Sequence, residues 1–469
     1  MHRVRLEIPC ENYLNDVQDI AREFSPYLEI DADSPHFLGW NFCYQDGNFN
    51  INIYSSNWGD YKDSLKIDND DELLYKKYTK RFLKHSLYKF LSKNLGVKLP
   101  YGSLTGVRPT KLYYELTERG YQAEEYLIDE FMVSKQKVKL IADCVKNQQG
   151  IINTNKNAVA LFINIPFCPT RCNYCSFIST ELFRVQKELH KYIDNVQAGI
   201  ADFKNFLSKT NHKITSIYIG GGTPTCIGID MLNTLLSPLS DFGLEFTVEA
   251  GRPDTITKEM LIMLKQNNVT RISINPQSFN QKTLQKIGRN HTVDDIHKCY
   301  DMAKELGFVV NMDLISGLQG ESYQDFCYSV DQAILLNPSN ITIHTLSIKR
   351  GAKITQEGEK KKEFGNIAKM NNYAYNALYS AGYQPYYMYR QKNTADNLEN
   401  VGFFRDNCQC KYNIDMMEES SSIFGIGAGA MSKKVTGSRL ERLANPKGFR
   451  EYIDRINSIV QNKRQFFNF

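Results

Sequence analysis

The sequence predicts an α/β protein built around a partial barrel of six parallel strands, with an α+β domain before it and a mainly helical region after it. Short β-branched runs alternate with helical segments from residue 159 to 346, a polar run precedes them, and helical patterns return after residue 354. Such alternation produces right-handed βαβ units and a parallel sheet. Six units fit an open (β/α)6 barrel better than a closed barrel of eight strands. The predicted domains are residues 1–152, 153–355 and 356–469.

The first domain has the patterns of strands followed by helices. RVRLEI and the stretch around YQDGNFNINIY are strand-like, and Asp46 followed by Gly47 is a hairpin signal. A lysine-rich amphipathic helix is expected from about Asp71 to Asn94, with its charges on a solvated face. The basic, turn-rich segment YGSLTGVRPTKL follows it.

The barrel region begins after the polar run NTNKN, which is predicted to be a linker. Six runs rich in Val, Ile and Thr or aromatic residues are bounded by turn residues, as strands are. The predicted strands are residues 159–165, 214–219, 245–250, 271–276, 308–315 and 340–346. The predicted helices include Leu182–Leu207, Asp294–Leu306, Tyr323–Leu335 and Lys360–Ser380.

Composition limits the classes of function. The 57 basic and 52 acidic residues give a net charge of +5, which hints at an anionic ligand or acidic partner and is too small to indicate nucleic-acid binding. The N-terminus lacks a signal-peptide pattern, and no run reaches the 18 apolar residues of a membrane helix. Eleven cysteines is an odd number, which argues against a disulfide framework. We therefore expect a cytoplasmic protein without a membrane span.

Three of the cysteines form a compact motif. IPFCPTRCNYCSF places Cys168, Cys172 and Cys175 within eight residues, directly after a predicted strand. Three such thiolates can bind three irons of a [4Fe–4S] cluster, leaving the fourth iron for the amino and carboxylate groups of an amino acid. A zinc site is the alternative, but it needs a fourth ligand, and the next cysteine pair, at 408 and 410, is far along the chain.

This motif and its surroundings resemble a known family. CxxxCxxC is similar to the signature of the radical S-adenosylmethionine (SAM) superfamily, and IPFCxxxCxYCxF resembles its anaerobic coproporphyrinogen III dehydrogenase family. LTGVRPTKL, EAGRPDTIT, NMDLISGL and NLENVG are similar to the HemZ branch. Phe177 stands where HemN types carry a further cysteine. The resemblance implies a partial (β/α)6 barrel with a [4Fe–4S] cluster and SAM at the carboxyl ends of its strands.

A glycine run follows the second predicted strand. Glycines permit close approach of the backbone to a ligand, and the resemblance assigns Gly221, Gly222 and Thr223 to the methionine end of SAM. The alternative is a tight strand exit. Tyr174, inside the cysteine loop, would offer its ring to the adenine; its alternative is packing within the loop.

Polar residues at predicted strand ends complete the expected SAM site. A charge there is costly unless it is paired or bound to a ligand. The resemblance places Glu249 and Asp313 near amino or ribose groups, Gln277 at the ribose and Arg289 at the carboxylate. Phe162 occupies a position where HemN types carry a tyrosine. Internal ion pairs are the alternative for each charged residue.

The resemblance implies that the protein oxidatively decarboxylates coproporphyrinogen III propionates to vinyl groups, giving protoporphyrinogen IX. Its partners would be a tetrapyrrole and a flavodoxin or ferredoxin electron donor. The alternatives are a haem-binding or haem-trafficking protein, and radical SAM chemistry on another tetrapyrrole. We expect the C-terminal region, with FGIGAGAMS at 424–432, to cover the substrate, unless that segment is only a packing turn. Candidate propionate anchors are Arg108, Lys111, Arg252, Lys349 and Arg350.

Overall fold

The computed structural model describes residues 2–7, 13–25, 27–67, 72–177, 179–347, 366–391, 394–437 and 439–469. Within them the chain forms two compact units, residues 1–142 and 143–469. No helix in these described ranges is long and apolar enough to cross a membrane.

The first 148 residues contain a five-stranded sheet and five helices among their described parts. The sheet has the strand order β2-β1-β3-β4-β5. Its elements are β1 (His2–Glu7), α1 (Leu14–Glu23), β2 (Leu28–Ile30), β3 (Phe37–Gln45), β4 (Asn48–Ser55), β5 (Gly59–Lys66), α2 (Glu72–Leu95), α3 (Pro109–Glu118), α4 (Ala123–Asp129) and α5 (Lys135–Gln148).

Two predicted features of this unit are confirmed. Asp46 and Gly47 both have positive φ and join β3 to β4, as a two-residue hairpin turn requires. The long helix α2 ends one residue later than expected, at Leu95. Leu83, Leu87 and Leu91 recur at a spacing of four along α2, and they are buried in the core of this unit.

In its described part, the second unit contains an eleven-stranded sheet, with helices between the strands, and a separate two-stranded sheet. Its strands are β6 (Ala158–Ile165), β7 (Phe167–Cys168), β8 (Thr180–Glu181), β9 (Lys213–Gly221), β10 (Glu245–Val248), β11 (Arg271–Ser273), β12 (Val309–Ser316), β13 (Asn340–Thr345), β14 (Gln384–Arg390), β15 (Glu399–Phe404), β16 (Ser422–Ile426), β17 (Met431–Thr436) and β18 (Arg439–Ala444). Its helices are α6 (Leu189–Lys209), α7 (Ile229–Leu236), α8 (Lys258–Gln266), α9 (Gln281–Lys286), α10 (Val293–Glu305), α11 (Tyr323–Leu336), α12 (Asn366–Ser380), α13 (Lys411–Glu418), α14 (Phe449–Asp454) and α15 (Ile456–Phe467).

All six predicted barrel strands are present and parallel. They pair in the order β6, β9, β10, β11, β12, β13, which is the chain order of the six units. Helices α10 and α11 lie close to their predicted bounds and begin at capping boxes made by Thr292 and Ser322. The sheet does not close on itself, so the partial barrel is confirmed.

Helix α6 begins seven residues later than the sequence pattern indicated. The strand β8 first pairs with β7, matching Glu181 to Cys168, and a short 3-10 turn follows at Leu182–Arg184. The chain has to leave the cysteine loop before it can run back along the sheet as a helix.

The C-terminal region adds strands to both edges of the barrel sheet, which the sequence analysis did not anticipate. The antiparallel pair β15 and β14 extends the sheet beyond β13, and β16 lies parallel to β6 with β17 and β18 outside it. An open sheet leaves unpaired backbone groups along its two edge strands. The C-terminal strands satisfy these groups on β6 and β13.

Candidate functional site

The three motif cysteines lie on one loop at the carboxyl end of β6. Cys168 ends β7, and the loop runs from there to β8. Burial raises the pKa of Cys168 and Cys175, and the thiol of Cys172 acts in the same direction on both. The hydroxyl of Thr223 approaches the Cys168 Sγ at 3.6 Å. Thr223 is therefore next to the expected cluster.

The loop rests on the carboxyl end of α9. The Asn173 N–H donates to the carbonyl of Ile287 at 3.1 Å, and its side-chain amide donates to the carbonyl of Lys286 at 2.8 Å. These bonds hold the middle of the cysteine loop in place without using a thiol. The sulfurs therefore stay available as ligands.

The glycine run packs against the base of the cysteine loop. The Gly222 N–H donates to the Ile165 carbonyl at 2.9 Å, and the Thr223 N–H donates to the Phe167 carbonyl at 2.7 Å. A Cβ on Gly222 would collide with the Phe167 backbone, and Gly221 has a φ of +105°. The local fold therefore requires glycine at both positions, in addition to any role in binding SAM.

Side chains of five strands meet on the inner face of the barrel. Successive residues of a strand point to opposite faces, so positions of one parity share the interior. At the carboxyl ends these inward side chains are Phe162 on β6, Tyr218 on β9, Glu249 after β10, Asp313 on β12 and His344 on β13. All five are partly exposed. The residues directly before and after Phe162, Asp313 and His344 are buried. The barrel thus has a polar and aromatic mouth.

Glu249 has donors on both carboxylate oxygens. The Tyr218 hydroxyl donates to Oε1 at 2.5 Å, and the Gly221 N–H donates to Oε2 at 3.1 Å. Burial raises the pKa of Glu249 to about 7, and the negative charge of Asp313 acts in the same direction against these hydrogen bonds. Glu249 is therefore close to half protonated at neutral pH and would become fully ionised beside a bound cation.

Asp313 and His344 form an ion pair across neighbouring strands. Their closest N–O distance is 3.5 Å, and the Asn311 amide donates to the other Asp313 oxygen at 2.8 Å. Burial alone would raise the pKa of Asp313, but the imidazolium of His344, together with hydrogen bonds from Asn311 and Thr342, outweighs it and holds that pKa below its usual range. Burial likewise opposes the charge on His344, and Asp313 outweighs it, so the pKa of His344 is raised. The Tyr389 hydroxyl lies 3.5 Å from the His344 Nδ1.

Gln277 follows β11 and pairs with β12 through an isolated parallel bridge to Leu314. Its N–H donates to the Asp313 carbonyl at 2.9 Å, and its carbonyl accepts from the Ile315 N–H at 3.1 Å. Its backbone has a φ of +67°, which is unusual for a residue other than glycine. The side-chain Oε1 is buried and has no hydrogen-bond partner among the described residues. A buried acceptor of this kind fits a hydroxyl of a bound ligand.

The side chains of Arg289 and Tyr174 contact each other. The Arg289 guanidinium donates to the Tyr174 hydroxyl at 3.2 Å and to the Asn275 carbonyl at 2.6 Å. Burial opposes the charge on Arg289, but the Tyr174 and Cys172 groups outweigh this and raise the pKa of the guanidinium. Arg289 thereby joins the cysteine loop to the strand ends.

The structure brings the sequence-predicted residues into two adjoining groups. The first group surrounds the cysteine loop, and the second occupies the mouth of the barrel. The first consists of Cys168, Cys172, Cys175, Tyr174, Thr223 and Arg289. The second consists of Phe162, Gly221, Glu249, Gln277 and Asp313, with Gly222 lying between the two.

Four further aromatic or ionisable residues belong to the mouth, and the sequence analysis missed three of them, Tyr218, Tyr412 and His344. Tyr218 stacks on Tyr412 with 4.3 Å between ring centroids, and Tyr412 lies 6.1 Å from Phe162. His344 and Tyr389 are the other two. A period-two signal was available for two of them, since Tyr218 and His344 alternate with isoleucines in TSIYIG and NITIHT.

The segment GIGAGA forms the end of β16 and a tight turn against β6. Gly427 has positive φ, and a Cβ there would collide with the Asn164 carbonyl. The Tyr192 hydroxyl donates to that same carbonyl at 2.8 Å and accepts from the Ala428 N–H at 2.9 Å. This geometry agrees with the packing-turn alternative. Of the candidate propionate anchors, Lys349 and Arg350 lie outside the described residues.

The residues present fit the two expected cofactors. Three thiols share one loop, a glycine segment lies beneath it, and carboxylates and a buried carbonyl acceptor lie at the strand ends. No three or more His, Cys, Asp and Glu side chains of the described part converge as ligands of a single metal ion. A cubane does not require such convergence, because each cysteine binds a different iron.

Comparison with known proteins identifies relatives. The model of the radical SAM superfamily matches residues 163–333. The oxygen-independent coproporphyrinogen-III oxidase-like protein HemZ of Bacillus subtilis is 36% identical over 408 residues, covering 83% of this chain and 81% of its own. The haem chaperone HemW of Escherichia coli is 28% identical over 322 residues, covering 66% and 80%. The solved coproporphyrinogen III oxidase HemN of Escherichia coli, a radical SAM enzyme, aligns with a TM-score of 0.54 at 20% identity, covering 67% and 72%.

Proposed function

Because this chain belongs to the radical SAM superfamily and, within it, to the oxygen-independent coproporphyrinogen III oxidase-like family, we propose that it oxidatively decarboxylates coproporphyrinogen III propionates to vinyl groups. The cofactors of the family are a [4Fe–4S] cluster and SAM. The observation that supports the proposal most is the arrangement of the cysteine loop beside an ionisable barrel mouth. The product would be protoporphyrinogen IX.

Cys168, Cys172 and Cys175 would hold the cluster. Gly221, Gly222 and Thr223, together with Glu249, Gln277 and Asp313, would bind SAM, with Tyr174 and Phe162 beside it. When bound, these cofactors supply a 5′-deoxyadenosyl radical, which removes a hydrogen atom from a propionate side chain before carbon dioxide and one electron are lost.

The residues of this chain would bind and orient SAM and would exclude water from the site. Glu249 receives hydrogen bonds from Tyr218 and Gly221, so its carboxylate is oriented before a ligand arrives. His344 keeps Asp313 ionised and restrains its rotation. Arg289 restrains Tyr174 against the strand ends, and it would bind the carboxylate of SAM beside the cysteine loop. Such preorganisation lowers the cost of binding a polar ligand.

The C-terminal region would cover the tetrapyrrole. Tyr389 from β14 and Tyr412 from α13 already reach the mouth of the barrel, beside His344 and Tyr218. Flat aromatic side chains suit a large, flat substrate, and they exclude water from a reactive radical.

One assay tests this function. The protein would be incubated anaerobically with SAM, a low-potential reductant and coproporphyrinogen III, and the products would be separated by mass. Loss of two carbon dioxide molecules per substrate supports the proposal. SAM cleavage without any change in the porphyrinogen contradicts it.

A haem-trafficking function is the second candidate, because several relatives of this chain are haem chaperones. It predicts stoichiometric haem binding with no vinyl product. The same preparation would be titrated with haem and followed by absorbance. Tight haem binding together with absent decarboxylation would favour this function.

A further inference from the structure

Arg252 lies beneath the cysteine loop and is almost completely buried, with 2% of its surface exposed. One edge of its guanidinium binds Asp254 through two hydrogen bonds, from Nε at 2.9 Å and from Nη2 at 2.6 Å. The remaining nitrogen, Nη1, donates to both the hydroxyl of Thr170 at 2.7 Å and its carbonyl at 3.2 Å. Thr170 lies midway between Cys168 and Cys172.

The local sequence accounts for this geometry. Arg252 follows β10, and Pro253 then starts a short 3-10 turn that ends at Thr255. This turn places the Asp254 carboxylate two residues along, where it receives the guanidinium in a bidentate pair. A planar guanidinium donates in fixed directions, so orienting one edge towards Asp254 aims the other nitrogen at Thr170.

These contacts argue against Arg252 as an anchor for substrate propionates. Each of its three nitrogens already donates within the chain, and the group is shielded from solvent. A propionate would have to reach a buried group that already donates to Asp254 on one edge and to Thr170 from its remaining nitrogen. Arg252 is therefore not an anchor for substrate carboxylates.

We infer that Arg252 is a positioning residue that holds the cysteine loop in its cluster-binding conformation through Thr170. This inference rests on the proposed function only in requiring that the loop binds an iron–sulfur cluster. Thr170 also approaches the Gly288 carbonyl at 3.4 Å, so the bond from Arg252 fixes its side chain at the point where the loop meets the end of α9. Outer contacts that orient ligands commonly change metal affinity by about 10–100-fold when they are removed.

The test compares cluster retention in three variants. Anaerobically reconstituted wild-type protein, Arg252→Gln and Arg252→Lys would be exposed to an iron chelator, and the loss of cluster absorbance would be timed. We expect Arg252→Gln to lose its cluster about 10–100-fold faster than wild type. Arg252→Lys keeps the charge and one donor nitrogen, so it should recover part of this loss.

A second measurement follows the loop itself before any cluster is added. In cluster-free protein, hydrogen exchange of residues 169–176 should be faster in Arg252→Gln than in wild type. Thr170→Val removes the hydroxyl but keeps the carbonyl, so it should accelerate cluster loss by a smaller factor. In the double variant, Thr170→Val should add little to the rate of cluster loss caused by Arg252→Gln, because the donor to the Thr170 hydroxyl is already absent.

Arg271 offers a matched control. It is also a buried arginine paired with a carboxylate, that of Glu245, and it donates to backbone carbonyls at the opposite end of the strands. Arg271→Gln should lower thermal stability without changing cluster loss from folded protein. Equal cluster loss in both arginine variants, or wild-type retention in folded Arg252→Gln, would overturn the inference. Wild-type protein that binds no cluster would instead refute the proposed function.

Discussion

Glu249 provides a quantitative test of where SAM binds. Burial raises its pKa to about 7, so the free site holds this carboxyl partly protonated at neutral pH. If a cationic group of SAM binds beside Glu249, the ionised form must be the one that binds. With a pKa of about 7, roughly a tenth of the sites are ionised at pH 6 and roughly nine tenths at pH 8. The affinity for SAM should therefore rise by about tenfold over that range, or about 1.4 kcal/mol.

The assay is equilibrium binding of SAM to cluster-loaded, oxidised protein at several pH values between 6 and 8. Glu249→Gln is the informative variant, because its amide is always neutral and nearly the same size. It should bind SAM with the weaker, low-pH affinity and lose the pH dependence. Calorimetry in buffers with different ionisation enthalpies should show that wild-type binding releases a proton near pH 6.

Two outcomes would refute this reasoning. The first is a wild-type affinity that does not change from pH 6 to pH 8. The second is a pH dependence that persists unchanged in Glu249→Gln, which would assign the titration to another group. His344 is another ionisable group of the mouth, and its loss of charge with rising pH would weaken the ion pair with Asp313. It would therefore change the affinity in the opposite direction.

Three further predictions follow from the site. Reconstituted protein should bind about four irons and four sulfides per chain; alanine at Cys168, Cys172 or Cys175 should abolish this content by iron and sulfide analysis, whereas Cys299→Ala should keep it. Asp313→Ala should weaken SAM binding by about 1–3 kcal/mol with the cluster absorbance retained, because a ligand loses a hydrogen-bond partner; unchanged binding would exclude Asp313 from the site. SAM cleavage driven by a flavodoxin or ferredoxin should slow as salt rises, since charges are screened beyond about 8 Å at 0.15 M; cleavage driven by dithionite is the control and should respond much less.

The alternation of strand and helix patterns in the sequence is sufficient to predict the partial barrel. Each barrel strand is a compact run of β-branched or apolar residues, and each βαβ unit is local in sequence, so neighbouring strands follow from chain order. The cysteine spacing predicted a single ligand loop in the same way, because three thiols within eight residues must share one loop, and the family resemblance implied the cluster and SAM. The glycine run and the residues Glu249, Gln277 and Asp313 stood out by their positions at predicted strand ends, and their assignment to SAM came from the family resemblance.

The tertiary structure decided which side chains meet. His344 and Tyr218 lie among apolar neighbours in their strands, and the pairing of the strands brings His344 beside Asp313 and Tyr218 beside Glu249. Their charge states depend on this meeting, because burial and neighbouring charges move the pKa of each group.

The C-terminal strands show the same limit on a larger scale. The pairing of Ile423 with Ala160 and of Ile343 with Val401 joins segments that are distant in sequence. Local periodicity carries no information about such partners, since any apolar strand can satisfy an open edge. The sequence alone determined the barrel and its cysteine loop, because both are built from contacts close along the chain. The tertiary structure alone decided how the barrel edges are covered and how the mouth is charged, because those depend on residues brought together from far apart.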